Sequence, residues 1–264
     1  MQTSKLIQRL AKTFLAGVMT LGSACHAQSA REARTPLNPS QWEKALEEGD
    51  LVFIRSRTEN AALIAALSNV DTTDEGKPGE EGFEQADRIF THCGIVFRNA
   101  GKWMIYEGAG RGRVLQLADW RSAESKAQGN GGRSIEKPQH NVYVRRWRDR
   151  QELSGKLRQI LACAKRMHEK DYDFGFSWTN DYTYCSELVW KAYAEGGLHF
   201  GKLPKMSGYV DHVSKKVAKK IKEKLQSKSR THRGGRGYDP QEAAVSPEDI
   251  FESAKLIPVT GLSR

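Results

Sequence analysis

No C-x-x-C pair occurs among the four cysteines of the chain, Cys25, Cys93, Cys163 and Cys185. That absence argues against a zinc site and against a thioredoxin-like redox motif. A long hydrophobic run is missing as well: FLAGVMTLGSA, residues 14–24, is too short to span a bilayer comfortably. No internal repeat is visible, which argues against solenoid and propeller architectures. Positive charge is not spread over the chain either. The formal net charge is +10, yet residues 213–236 alone hold ten Lys or Arg against one Glu, and residues 1–27 carry three more basic side chains. The remainder is slightly acidic. The basic run lacks interleaved aromatics, so it offers no stacking platform, and no nucleic-acid partner is expected.

What is present suits a globular protein. The 264 residues, 38% of them hydrophobic, suffice for one large domain or two small ones with a real core. Residues 1–27 read as a secretory signal: Lys5, Arg9 and Lys12 precede the short apolar run, and Cys25 and Ala27 supply small residues at the cleavage positions. The alternatives are an uncleaved N-terminal helix and, from LGSAC, a lipoprotein anchored at Cys25, although its leucine lies one position too far away. The expectation is export to a bacterial periplasm. Removing the signal leaves three thiols, so at least one is free in an oxidising compartment. Residues 28–40 read as a polar linker, and residues 41–264 as the functional domain.

Along that domain, Ser40 and Glu43 have the spacing of a capping box, predicting a helix over PSQWEKALEEGD. DLVFIRS predicts a strand, ENAALIAALSNV a short helix, and the acidic stretch 71–87 a loop. FTHCGIVFR and KWMIYEGA predict two strands joined by the hairpin signal Asn99–Gly101. RVLQLADW reads as a third, shorter strand and NVYVRRW as a further one. In QELSGKLRQILACAKRMHEK, Leu153, Leu157, Ile160, Leu161, Ala164 and Met167 share a helical face. A second helix starts near Cys185 and stops at Gly196–Gly197. A basic amphipathic helix follows, with Val210, Val213, Val217, Ile221 and Leu225 in line. VSPEDIFESAKLIPV predicts a capped helix start and a last strand. Short antiparallel strands followed mainly by helices give an α+β class.

Cys185 stands where a Tyr-rich loop becomes that second helix. A helix N-terminus offers free N–H groups and partial positive charge, which favour a thiolate and can also hold an oxyanion. The competing reading is a small buried core residue. A nucleophile needs a base. His92 alone among the seven histidines sits inside a strongly patterned strand; His140, His168, His199, His212 and His232 fall in loops, on polar helix faces or in the basic segment. Strand alternation puts His92, Gly94 and Val96 on one face and Cys93, Ile95 and Phe97 on the other, which points Cys93 away from the His92 side. Gly94 leaves room on that side for another chain or a substrate. Glu107, ending the adjacent strand, can orient the imidazole, or it is a solvent-facing strand-end residue.

The segments GDLVFIR, FTHCGIVF, WMIYEGA, YDFGFSWTNDYTYCSELVWKAY and VSPEDIFES, in this order from about residue 48 onward, resemble the permuted NlpC/P60 cysteine hydrolases of the YiiX/YebB type. The resemblance implies a circularly permuted papain-like fold, with an antiparallel sheet packed against helices. It implies Cys185 as nucleophile, His92 as general base, Glu107 as the polar third member, and Tyr184 beside the oxyanion or substrate. No cofactor or metal is called for. The family usually has a small or apolar residue where Cys93 follows the histidine, and the acidic loop before His92 is long for it. The substrate it implies is an amide or ester from cell-wall peptide or a lipid. A non-catalytic wall- or membrane-binding module on the same fold is the alternative. The basic helix over 210–228 packs one apolar stripe on the domain, or it meets an anionic membrane surface.

Overall fold

The computed structural model describes residues 34–55, 90–110, 114–123, 141–179, 181–211, 215–231 and 238–260. The expected signal, the helix over ENAALIAALSNV and the acidic loop 71–87 lie outside them. Six strands are described: β1 Leu51–Ile54, β2 His92–Asn99, β3 Lys102–Tyr106, β4 Leu115–Gln116, β5 Tyr143–Trp147 and β6 Leu256–Pro258. They form one sheet in the order β4-β3-β2-β1-β5-β6, and every pairing is antiparallel. The helices are α1 Trp42–Ala45, α2 Leu117–Ala123, α3 Arg150–His168, α4 Cys185–Glu195, α5 Met206–Val210, α6 Lys215–Thr231 and α7 Pro247–Phe251. This is the expected α+β arrangement.

Period-two alternation divides the core. Leu51, Phe53, Cys93, Ile95 and Phe97 face α3 and α4 in one apolar cluster. Val52, Ile54, Val96 and Ile105 face a second cluster with Trp42, Leu117 and Trp120. Both faces of the sheet are covered, so all four residues of β1 are buried. On α3, the expected stripe packs inward through Leu153, Ile160, Ala164 and Met167; each large side chain so buried contributes roughly 2 kcal/mol. The β2–β3 hairpin turns at Ala100 and Gly101, with φ of 48° and 76°. Two consecutive positive φ values are the twist-matched two-residue turn that closes a tight hairpin. At the start of β1, the buried Asp50 accepts two hydrogen bonds from Arg146 of β5, at 2.8 and 2.7 Å.

Several expectations shift. The first cap moves upstream: Asn38, not Ser40, accepts the capping bond, because Pro39 starts a single 3₁₀ turn there. The polar linker expected over 28–40 is packed against the domain from Arg34 onward. Leu37 is buried and its N–H bonds the Val142 carbonyl at 2.8 Å, while Arg34 pairs with Glu248 and Glu252. RVLQLADW is a strand for two residues only and then a helix, since Leu117 and Trp120, three apart, are both buried on one helical face. The basic helix divides: Val210 closes the short α5, Asp211 caps it, and α6 begins at Lys215. Its stripe residues Ile221 and Leu225 join the main core; Val213 lies outside the described residues.

Candidate active site

Three elements meet at the end of the β2–β3 hairpin. β2 opens with His92, β3 runs directly into Glu107, and α4 opens with Cys185. Gly108 lets them approach. A Cβ there would lie 2.5 Å from the Tyr184 carbonyl carbon and 2.9 Å from the Cys185 nitrogen. Gly94 serves the hairpin itself, since a Cβ would meet Ile105 and the Tyr106 carbonyl oxygen at 2.7 Å. The space expected beside His92 for another chain or a substrate is therefore filled by β3.

His92 and Glu107 are both buried, at 6% exposure each. The imidazole Nε2 bonds Glu107 Oε2. The indole N–H of Trp120 donates to the same carboxylate oxygen, and its ring stacks on His92 with centroids 5.6 Å apart. From α3, His168 Nδ1–H donates to the Glu107 carbonyl oxygen at 2.8 Å. Burial pushes the Glu107 carboxyl up, but the charge and hydrogen bond of His92, the Trp120 bond and the charge of His168 outweigh it, so the group is held below the usual carboxylate range.

Cys185 is 1% exposed, and Cys93 and His92 are the side chains that act most on its thiol. Its thiol is held well below the ordinary range. The hydrogen bond from the Cys93 side chain is the largest cause. Burial opposes it, and the charge and hydrogen bond of His92 and a main-chain bond from Cys93 add to it. Cys93 moves the other way, pushed up by burial first and then by the neighbouring Cys185 and Glu107. Alternation did place Cys93 on the opposite sheet face from the Trp120 side. That face, however, is the one α4 packs against, so Cys93 touches the nucleophile and His92 reaches it from the strand end. Cys93 thus takes the face expected for it, and what changes is that the same face also receives Cys185.

Tyr184 caps α4. Its N–H donates to Glu187 at 3.2 Å, its hydroxyl accepts from Val245 N–H, and its ring packs edge-on against Phe176 at 5.0 Å. With Ser186, Met206 and Tyr209 it lines a small apolar cavity beside the helix. Its side chain is thus turned toward the chain before α7, while its main chain opens α4. Ser186 Oγ donates to the Val245 carbonyl at 2.7 Å, tying α4 to the chain before α7.

Two neighbours of the site escaped the sequence reading. Trp120 was hidden by reading its segment as a strand. His168 was assigned to a polar position, although it follows Ala164 by four residues and so continues the apolar stripe of α3.

The sequence profile of a family described as permuted papain-like amidase enzymes, YaeF/YiiX, C92 family, matches residues 45–259. The uncharacterized protein YiiX of Escherichia coli (strain K12) is 27% identical over 219 residues, covering 81% of this chain and 85% of its own. Among solved structures, metalloprotein yiiX from Escherichia coli O157:H7, DUF1105, superposes with a TM-score of 0.57 at 22% identity, over 81% of this chain and 97% of that one. The fold is thus the expected permuted papain-like one. Among the described residues, no group of three or more His, Cys, Asp or Glu is arranged to hold a metal ion.

Proposed function

Because the chain belongs to the C92 family of permuted papain-like amidases, we propose that it hydrolyses an amide or ester carbonyl with Cys185 as nucleophile, His92 as general base and Glu107 as the group that orients His92. One observation carries the reading: a cysteine opens a helix beside an imidazole whose Nε2 is bonded to a buried carboxylate, and the charge of that imidazole favours the thiolate.

His92 takes the thiol proton, and the thiolate attacks the carbonyl carbon. The oxyanion is met by N–H groups of the first turn of α4, where the helix dipole also favours negative charge. His92 passes its proton to the leaving amine or alcohol, and a thioester remains on Cys185. Water, deprotonated by His92, attacks the thioester; the carboxylic acid departs and Cys185 is regenerated. The substrate class is a cell-wall stem peptide or a lipid-linked amide or ester, met after export to the periplasm. The lysine-bearing face of α6 supports contact with an anionic membrane surface. Lys215, Lys219 and Lys222 are exposed, whereas Ile221 and Leu225 are used by the core, so that contact is electrostatic and salt-sensitive.

The test sets wild type and Cys185→Ala against muropeptides and phospholipids in parallel, with a thiol-reactive probe as a second readout. Wild type turns over one substrate class and labels at Cys185 near neutral pH, and the variant does neither. Equal labelling or equal turnover by the two proteins would end the hydrolase reading.

A further inference from the structure

We propose that Cys93 is a positioning residue of this site, its thiol and its main-chain N–H both donating to the Cys185 sulfur. The inference rests on the reading of Cys185 as the nucleophile and extends it to the residue after the base.

Strand register explains the geometry. The two-residue turn makes Asn99–Lys102 the closing pair of the hairpin, so the N–H groups of Asn99, Phe97, Ile95 and Cys93 are aimed toward β3. The ladder with β3 stops at Ile95–Tyr106. The next N–H, that of Cys93, is aimed where no further strand pair forms. Gly108 brings the first residue of α4 to that place, the Cys93 and Cys185 side chains share one buried cluster, and each shifts the ionisation of the other. The same alternation that sends the Cys93 side chain to the α4 face keeps His92 beside Trp120 and Glu107. Neither thiol is in a disulfide. Strand register and alternation thus aim both the N–H and the thiol of one strand residue at the place where α4 begins.

The roles of the two thiols are set by their neighbours. A thiolate at Cys185 gains from a proton held on Cys93, and a second thiolate beside it would be repelled, so the proton stays on Cys93. The titratable groups around the pair are His92 from β2, Glu107 after β3, His168 from α3 through Glu107, and Glu187 on α4 itself. Removing the Cys93 donor leaves all four in place, which makes the effect separable.

The experiment follows iodoacetamide alkylation at Cys185 against pH, with the site mapped by peptide mass spectrometry. It compares wild type, Cys93→Ala, Cys93→Val and Cys93→Ser. A hydrogen bond to an ionised group is strong enough that Cys93→Ala and Cys93→Val should raise the alkylation midpoint by about one pH unit. Cys93→Ser, which keeps an O–H donor, should restore most of the shift. Val fills the void that Ala leaves, and thermal melts identify any variant that has lost the fold. Superimposable profiles for wild type and the two donorless variants overturn the proposal, as does an equal shift in Ser and Ala. An ordinary thiol profile for wild-type Cys185 would instead overturn the hydrolase reading itself, so the two failures are told apart.

Discussion

Glu107 keeps its charge while only 6% exposed. Its carboxyl is pushed up by burial but held below the usual range by His92, Trp120 and His168. This group therefore stabilises the fold above the ordinary carboxylate range, and the contribution is lost as pH falls through its depressed value. Glu107→Gln removes the charge that holds the imidazole, so kcat should fall about a hundredfold or more, and the acid limb of Cys185 alkylation should move up. Trp120→Phe keeps an aromatic ring beside His92 but removes the indole N–H and part of the ring volume, for about a tenfold loss in kcat. A Glu107→Gln enzyme with unchanged kcat would remove the orienting role. At this scale Cys185, His92 and Glu107 were legible, because a helix start, a patterned strand and a hairpin end each leave a local mark. The Cys93 contact was not. Strand alternation fixes which face a side chain takes, but not which element, from ninety residues further along, packs on that face.

The α4 helix is held at both ends by backbone features. Its C-terminus closes at Gly197, with φ of 81°, as Leu198 N–H bonds the Tyr193 carbonyl at 2.9 Å. At its N-terminus it abuts the hairpin at Gly108. Gly108→Ala forces a Cβ into the Tyr184 main chain, so the helix start must move. The expected result is a folded protein destabilised by about 1–3 kcal/mol, with kcat lowered about a hundredfold through misplacement of the sulfur. Full activity in that variant would show that the close approach is not required. The first turn of α4 also carries Glu187, which is fully buried. Burial pushes its carboxyl up to about 7, against the charge and hydrogen bond of Lys191. Because the folded state holds this proton more tightly than the unfolded one, stability should decline as pH rises from about 4.5 to about 7 and then level off. Glu187→Gln should flatten that decline, measurable as denaturation midpoints across the window. Helices α3 and α4 were readable from their periodicity and glycine stop. The short α2 was not, since Leu117 and Trp120 show helical spacing only once and β-prone neighbours precede them.

Across the molecule, β1 lies at the centre of the sheet and joins the hairpin that bears His92 to the strands that close the chain. Asp50 and Arg146 fasten β1 to β5, with the carboxylate fully buried and the guanidinium nearly so. Arg146→Leu would leave that carboxylate without its partner, costing about 3–5 kcal/mol. A melting temperature within a degree or two of wild type would show that the pair carries no such weight. The α+β class and the antiparallel order were visible from strand lengths and turns. The docking of residues 34–40 was not, because a stretch of mostly polar residues gives no sign that one leucine and one arginine will be captured.

The stretch that holds Val245 and Phe251 steadies the site from behind. Ser186, next to the nucleophile, is bolted to Val245, and Phe251 wedges between Phe53 and Phe90 at ring separations of 5.1 and 4.1 Å. A copy clipped ahead of Val245 would contain sulfur, imidazole and carboxylate and yet stay silent, its helix unmoored. Residues 245–251 are therefore a brace: distant in sequence from sulfur, imidazole and carboxylate, they set where the first turn of α4 can rest.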